Sequence, residues 1–157
     1  MKTNHKPELL SPAGSPEALL AALRCGADAV YLGGASFNAR STAQNFSRSA
    51  IADAGKACKA RGAKLCFTLN TMLTDQELPE ALDLANDAVQ AGAGAIIVQD
   101  IGLMSLLRGH IALHASTQCS VQTAQGMALL KKLGTVRAVL PRECTKEELA
   151  RLAAEAP

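Results

Sequence analysis

"AGAGAIIVQD", residues 91–100, carries the signals that decide the fold: a glycine where a helix would stop at Gly92, an apolar β-rich run, and a polar exit at Gln99 and Asp100. The same order recurs in "CGADAVYLG" (25–33), "RGAKLCFTLN" (61–70) and "LGTVRAVLPR" (133–142), which places the other glycines at Gly26, Gly62 and Gly134. Each glycine suits a left-handed helix C-cap, and each run after it reads as a strand buried on both faces. "ELLSP" (8–12) and "IALHAS" (111–116) bring the strands to six. Ala-rich helical patterns separate them at 15–25, about 47–61, 74–91, 100–108, 123–133 and 145–154. Pro16 suits a first turn, and Thr74/Glu77 and Thr145/Glu148 have the spacing at which hydroxyl and carboxylate satisfy first-turn amides. Pro79 obscures where the third helix begins.

Strict alternation of strand and helix requires parallel pairing through right-handed crossovers, so the class is α/β, either an open doubly wound sheet or a (β/α) TIM-type barrel. Two features favour the barrel. No G-x-G-x-x-G follows the first strand, whose turn reads "SPAGSPE" (11–17), and nearly every strand leaves polar or small residues at its C-terminal end. Those ends are Ser11, Gly33 and Gly34, Thr68 and Asn70, Gln99 and Asp100, Ser116 and Gln118, and Arg142 and Glu143. In a barrel they meet on the rim that carries active sites. A complete barrel has eight units and this sequence has six, so 1–157 is expected to be the N-terminal part of a barrel domain, or else a partner closes the sheet.

At 157 residues and 48% hydrophobic, the chain is long enough for one sizeable core and short for two. A net charge of +2 gives no basic footprint that would by itself indicate nucleic acid. No apolar signal core opens the sequence and no run approaches the roughly 18 residues of a membrane helix, so the expectation is a cytoplasmic protein without membrane contact. The five cysteines, Cys25, Cys58, Cys66, Cys119 and Cys144, are scattered and form no C-x-x-C pair, which fits reduced thiols.

The stretches "PELLSPAG" (7–14), "GADAVYLGGASFNAR" (26–40), "FTLNTMLTDQEL" (67–78), "AIIVQDIGL" (95–103), "LHASTQCS" (113–120) and "VLPRECTKEEL" (139–149) resemble the collagenase-like peptidase U32 family, in order and over nearly the whole chain. "LNTMLTDQEL", "IVQDIGL" and "LHASTQC" are most similar to the branch that hydroxylates a cytidine of large-subunit ribosomal RNA. The resemblance implies an iron-sulfur-dependent RNA hydroxylase, with ribosomal or transfer RNA as partner and a prephenate-like metabolite as oxygen donor. The alternative it leaves is a metal-dependent, collagenase-like peptidase, and after that oxygen-independent quinone hydroxylation. The family's cysteine signature lies near a seventh strand, beyond this sequence, so no cluster ligand is expected within it and the chain alone is expected to be inactive. Cys119 and Cys144, just past two strand ends, are the only rim thiols.

Among the rim residues, His114 and Asp100 are the candidate catalytic pair, His114 as hydrogen-bond partner or proton donor. A proteolytic triad of Ser116, His114 and Asp100 is disfavoured, because Ser116 and His114 are two residues apart and no nucleophile elbow surrounds the serine. His110 and His114 lie on a strand, where four residues span roughly 13 Å, too far to share a metal; no metal site is assigned. The long loop 33–47 is of binding length, and Arg40 suits bidentate recognition of a dicarboxylate metabolite or an RNA phosphate. Asn38 and Asn70 can orient a polar ring. Alternatively, Phe37 and Phe46 anchor that loop while Asn38 and Arg40 cap its backbone. Gln118, Arg142 and Glu143 complete the substrate-binding candidates, the last two also able to form a simple ion pair. Unpaired edges of the first and sixth strands invite self-association.

Overall fold

The computed structural model describes residues 6–40 and 44–155. Six strands and six α-helices alternate: β1 (Leu10–Pro12), α1 (Pro16–Arg24), β2 (Ala29–Gly33), α2 (Arg48–Ala60), β3 (Lys64–Leu69), α3 (Leu78–Gln90), β4 (Ala93–Val98), α4 (Ile101–Leu107), β5 (Ala112–Ala115), α5 (Ala124–Lys132), β6 (Thr135–Ala138) and α6 (Lys146–Ala154), with a 3₁₀ turn at Thr117–Cys119. All neighbouring pairs are parallel and the spatial order is β1-β2-β3-β4-β5-β6. A doubly wound sheet reverses its order at a switch point; this sheet never does, so every right-handed crossover lays its helix on the same face. The other face becomes the lumen of a partial (β/α) barrel.

Two apolar clusters mark the two faces. The large one joins helix residues such as Leu19, Ile51, Leu84 and Met104 to strand residues such as Leu32, Phe67 and Ile96. The small one is built from strands alone: Cys66, Ala95 and Ile97, with Leu10, Tyr31 and Ala112 packed against them. β3 shows the alternation, with Leu65, Phe67 and Leu69 turned toward the helices and Cys66 toward the lumen. Phe67 is fully buried, and truncating its ring to Ala would cost about 3–5 kcal/mol.

Local chemistry sets the element boundaries. Ser15, Ser47, Asp100, Thr123 and Thr145 each accept a first-turn amide as N-cap, and Thr145 and Glu148 form the reciprocal box. The four expected glycines have positive φ, from 66° at Gly62 to 93° at Gly92. Two expectations are corrected. β1 spans only Leu10–Pro12 within the stretch 8–12. The third helix starts at Leu78 rather than Thr74: Glu77 Oε2 accepts from Thr74 N and Oγ1, both at 2.8 Å, and closes a separate turn. Pro79, lacking an N–H, fits only the first turn of α3.

β1 and β6 are the sheet's outer strands. Across the floor of the lumen, Glu8 Oε1 accepts from Arg137 Nη1 at 2.9 Å and Glu8 Oε2 from Lys64 Nζ at 3.0 Å. These bonds hold Glu8 at about 2, well below its usual 4.5.

Candidate functional site

The rim loop after β2 folds back on the strand ends. Phe46 N donates to the Gly33 carbonyl at 3.1 Å, Gly34 and Phe46 form a bridge, and Phe46 is buried beneath. Residues 41–43 of this loop lie outside the described residues. Phe37 and Asn45 are held at φ of 58° and 55°, a conformation that costs a bulky side chain such as Phe roughly 1–3 kcal/mol. The strain positions the two residues that matter most: Asn38 Nδ2 donates to Asn45 Oδ1 at 2.7 Å, and both asparagines are buried at 8% exposure. Gly33 makes room for this pair, since a Cβ there would strike the Asn38 amide and Thr68 Oγ1.

Arg40 is fixed from three sides. Its N–H donates to Asn38 Oδ1 at 3.1 Å, its carbonyl accepts from Asn45 Nδ2 at 3.2 Å, and its Nη2 donates to Tyr31 Oη at 2.7 Å. The anchoring alternative is thus part of the structure: Asn38 does cap the loop backbone, and the guanidinium is carried over the lumen as a result. Asn70 joins this loop to the β5 exit, accepting from Ala39 N at 3.1 Å and donating to Ser116 Oγ at 3.3 Å. Tyr31, Asn38, Arg40, Asn45, Thr68 and Asn70 line a cleft of about 40 Å³ at the lumen mouth.

The other sequence candidates lie apart from that cleft. Asp100 caps α4, accepting from Leu103 N at 2.8 Å and Leu73 N at 3.4 Å; no hydrogen bond joins it to His114 among the described residues. Ser116 Oγ accepts from Gln118 N at 3.2 Å and likewise makes no bond to His114, so no Ser-His-Asp relay is assembled. Gln118 is exposed and lines a separate apolar groove with Met104, Cys119 and Leu129. Arg142 and Glu143 are exposed in the β6–α6 connection and form no ion pair with each other.

His114 is buried on β5, in register with Ile97 and Arg137, and its Nδ1 has no hydrogen-bond partner. Burial, reinforced by the Arg137 cation, lowers its pKa from 6.5 to about 4, which makes it a neutral imidazole at physiological pH. Burial also pushes the Cys58, Cys66 and Cys119 thiols up, away from the thiolate a metal requires. Among the described residues no three His, Cys, Asp or Glu side chains converge, so this chain's own groups do not fit an iron-sulfur cluster.

Tyr31 and Asn45 were not singled out from the sequence, and Thr68 was named only as a polar strand end on the rim. Tyr31 lies inside an apolar strand run, and Asn45 becomes a neighbour of Asn38 only when the loop closes.

Fold and rim together define a (β/α)-barrel protein with a polar pocket at the C-terminal face of its strands. Residues 14–157 match the model described as Peptidase family U32, and the chain belongs to that family. The 23S rRNA 5-hydroxycytidine C2501 synthase of Escherichia coli K12 is 42% identical over 147 residues, covering 94% of this chain and 22% of that protein. The tRNA hydroxylation protein P1 of Bacillus subtilis 168 is 35% identical, covering 92% and 35%, and the Collagenase of Porphyromonas gingivalis W83 is 30% identical, covering 90% and 34%. The chain thus spans between about a fifth and a third of these relatives' length. The U32 peptidase Mk0906 superposes with a TM-score of 0.78 at 14% identity over 100% of this chain and 68% of its own, a likeness of fold. No helix among the described residues is long and apolar enough to cross a membrane.

Proposed function

We propose that this chain supplies six βα units and much of the substrate rim of a longer RNA hydroxylase acting on a ribosomal or transfer RNA pyrimidine. The observation that carries the reading is the 42% identity over 94% of the chain to a ribosomal RNA hydroxycytidine synthase. The rim chemistry supports it: the Asn70 amide, which keeps one N–H after donating to Ser116, suits the edge of a base. The resident cofactor in this reading is an iron-sulfur cluster held by residues outside this chain, and the oxygen donor a prephenate-like metabolite. The further barrel units and the cysteine-rich segment belong to that longer protein, which acts in the cytoplasm.

The 30% identity to the Collagenase of P. gingivalis favours a second reading, a metal-dependent peptidase. The unassembled relay at Ser116 and His114 argues against a serine mechanism but leaves metal-dependent proteolysis as the competitor. The deciding experiment is nucleoside mass spectrometry of ribosomal and transfer RNA from cells lacking the gene, with the full-length form and the 157-residue form restored separately. Loss of a hydroxylated pyrimidine, rescued only by the full-length form, is expected. Unchanged RNA together with chelator-sensitive gelatin cleavage would move the assignment to the peptidase.

A further inference from the structure

The strand-entry face of the barrel, opposite the rim, is strongly basic. Helix C-termini and strand starts share that face, and six exposed cations there have no carboxylate partner among the described residues: Arg24, Lys59, Arg61, Arg108, Lys131 and Lys132. The acids beside them are already held, Asp28 by Lys6 and Glu8 by Lys64 and Arg137. The rim carries the opposite sign at its helix starts, with Glu17, Glu80, Glu147 and Glu148 in first turns. The net charge of +2 therefore conceals a separation of sign, and a basic footprint that the composition averages away is present on one face.

The helix macrodipole accounts for part of this pattern, since it favours a cation in a last turn. It does not account for the rest. Arg61 is already the C-cap of α2, Lys64 opens β3, and the cations gather into two groups. In the first, Lys56, Lys59 and Lys64 line a groove of about 570 Å³ between the ends of α2 and α3, walled by the bare backbone of Gly62 and Gly92. In the second, the Arg108 stem lies against the α5–β6 turn, where a Cβ on Gly134 would strike its Cγ, and so joins Lys131 and Lys132. The last turn of α3, between the two groups, has no basic residue.

The chemistry of the groove selects a polyanion over a discrete metabolite. The N–H groups of Gly62 and Gly92 are engaged with the Lys59 and Val89 carbonyls, so the lysine ammoniums supply its donors. An ammonium is a hydrated point charge on a flexible stem, and it holds a phosphate without fixing its orientation. The length of that stem also keeps the anion clear of the helix carbonyl ends, which would repel it. Lysine is depleted from protein–protein interfaces, whereas grouped lysines and arginines neutralise a phosphodiester chain and release its counterions.

We propose that the strand-entry face is a docking surface for the phosphodiester backbone of RNA, with the Lys56–Lys59–Lys64 groove and the Arg108–Lys131–Lys132 group as its two contact points. The surface rests on the RNA reading for its partner and extends it: the target nucleotide enters at the rim while flanking RNA is held on the opposite face. α2, 13 residues long, measures about 20 Å, a distance that a folded ribosomal or transfer RNA spans.

The test is fluorescence anisotropy of the protein with a labelled RNA hairpin carrying single-stranded flanks, across a salt series, set against poly-glutamate and phosphatidylglycerol vesicles. RNA is expected to bind with an affinity that falls linearly in log salt. Lys59→Gln/Arg61→Gln and Lys131→Gln/Lys132→Gln are each expected to weaken binding by roughly three- to tenfold and to flatten the salt slope by about 1.4, from two phosphate contacts at about 0.7 each. Lys146→Gln, which removes a cation at the rim, is expected to leave both unaltered, and circular dichroism checks that each variant is folded. Absent or salt-insensitive binding, or binding that the two pairs leave intact, overturns the surface. Poly-glutamate or vesicles binding more tightly than RNA through the same residues overturns it in favour of an acidic protein or a membrane. RNA binding weakened by both pairs alongside unchanged RNA in cells lacking the gene would retain the surface and reject the hydroxylase; lost modification with binding indifferent to both pairs would do the reverse.

Discussion

Glu8→Gln tests whether the lumen floor is an electrostatic tie. Glu8 bonds Arg137 at 2.9 Å and Lys64 at 3.0 Å, and its carboxyl sits at about 2 in place of 4.5. Taken whole, that difference equals about 3 kcal/mol. The side chains of Lys64 and Arg137 are 69% and 38% exposed, so water screens the pairs and about 1–2 kcal/mol is the working figure. For a chain of this length that lowers the melting temperature by roughly 2–8 °C at pH 7. The sign with pH comes from the depressed carboxyl. Its contribution is complete above about 4.5 and disappears as pH falls toward 2, because the unfolded chain takes up the proton first. Paired thermal melts of parent and variant between pH 2.5 and 7.5 should therefore differ by a constant amount above pH 5 and converge below it. Glu8 also raises the His114 pKa, so histidine NMR should find His114 titrating still lower in the variant. A variant melting within 1 °C of the parent at pH 7, or a gap that does not close in acid, would refute the tie.

Three further outcomes are expected. Gly33→Ala drives a methyl into the Asn38 amide and Thr68 Oγ1 and should destabilise the protein by about 1–3 kcal/mol, with the Asn38–Asn45 bond broken; an unchanged melt with native Asn38 amide shifts would contradict the packing. Because folding lowers the His114 pKa from 6.5 to about 4, stability should rise with pH across that window, by up to about 3 kcal/mol, and level off above it. His114→Gln should remove that rise, and a slope that survives assigns it to another group. The edges of β1 and β6, which no strand among the described residues pairs, predict concentration-dependent self-association in sedimentation velocity, and one monomer at every concentration would count against it.

Legibility in the sequence tracks the range over which each interaction acts. The Thr145–Glu148 cap and the C-terminal glycines act within four residues, so spacing alone reveals them. The barrel too was legible, because alternating elements without a phosphate-binding turn leave few topologies. Thr74 misled because its partner Glu77 closes a turn of its own, and only the placement of Pro79 shows that the helix begins later. At the site, Asn38, Arg40 and Asn70 were recognisable as polar strand exits and loop residues. Tyr31 was not, since its hydroxyl gains meaning only from an arginine nine residues away across a loop closure. Asp100 was legible as a rim acid, and in the structure its oxygens are taken by Leu103 and Leu73 amides as it caps α4. Glu8 carried no local signal at all, because one of its partners lies at the opposite end of the sheet.

That separation has a kinetic meaning. Each βα unit joins residues close in sequence, whereas Glu8 and Arg137 meet across 129 positions and require every intervening strand to be in register first. Loop-closure entropy places such a contact at the end of folding. The curvature of the sheet is therefore fixed late, and Glu8 reports on it: a residue that forms its bonds after the transition state leaves the folding rate alone and, when removed, speeds unfolding.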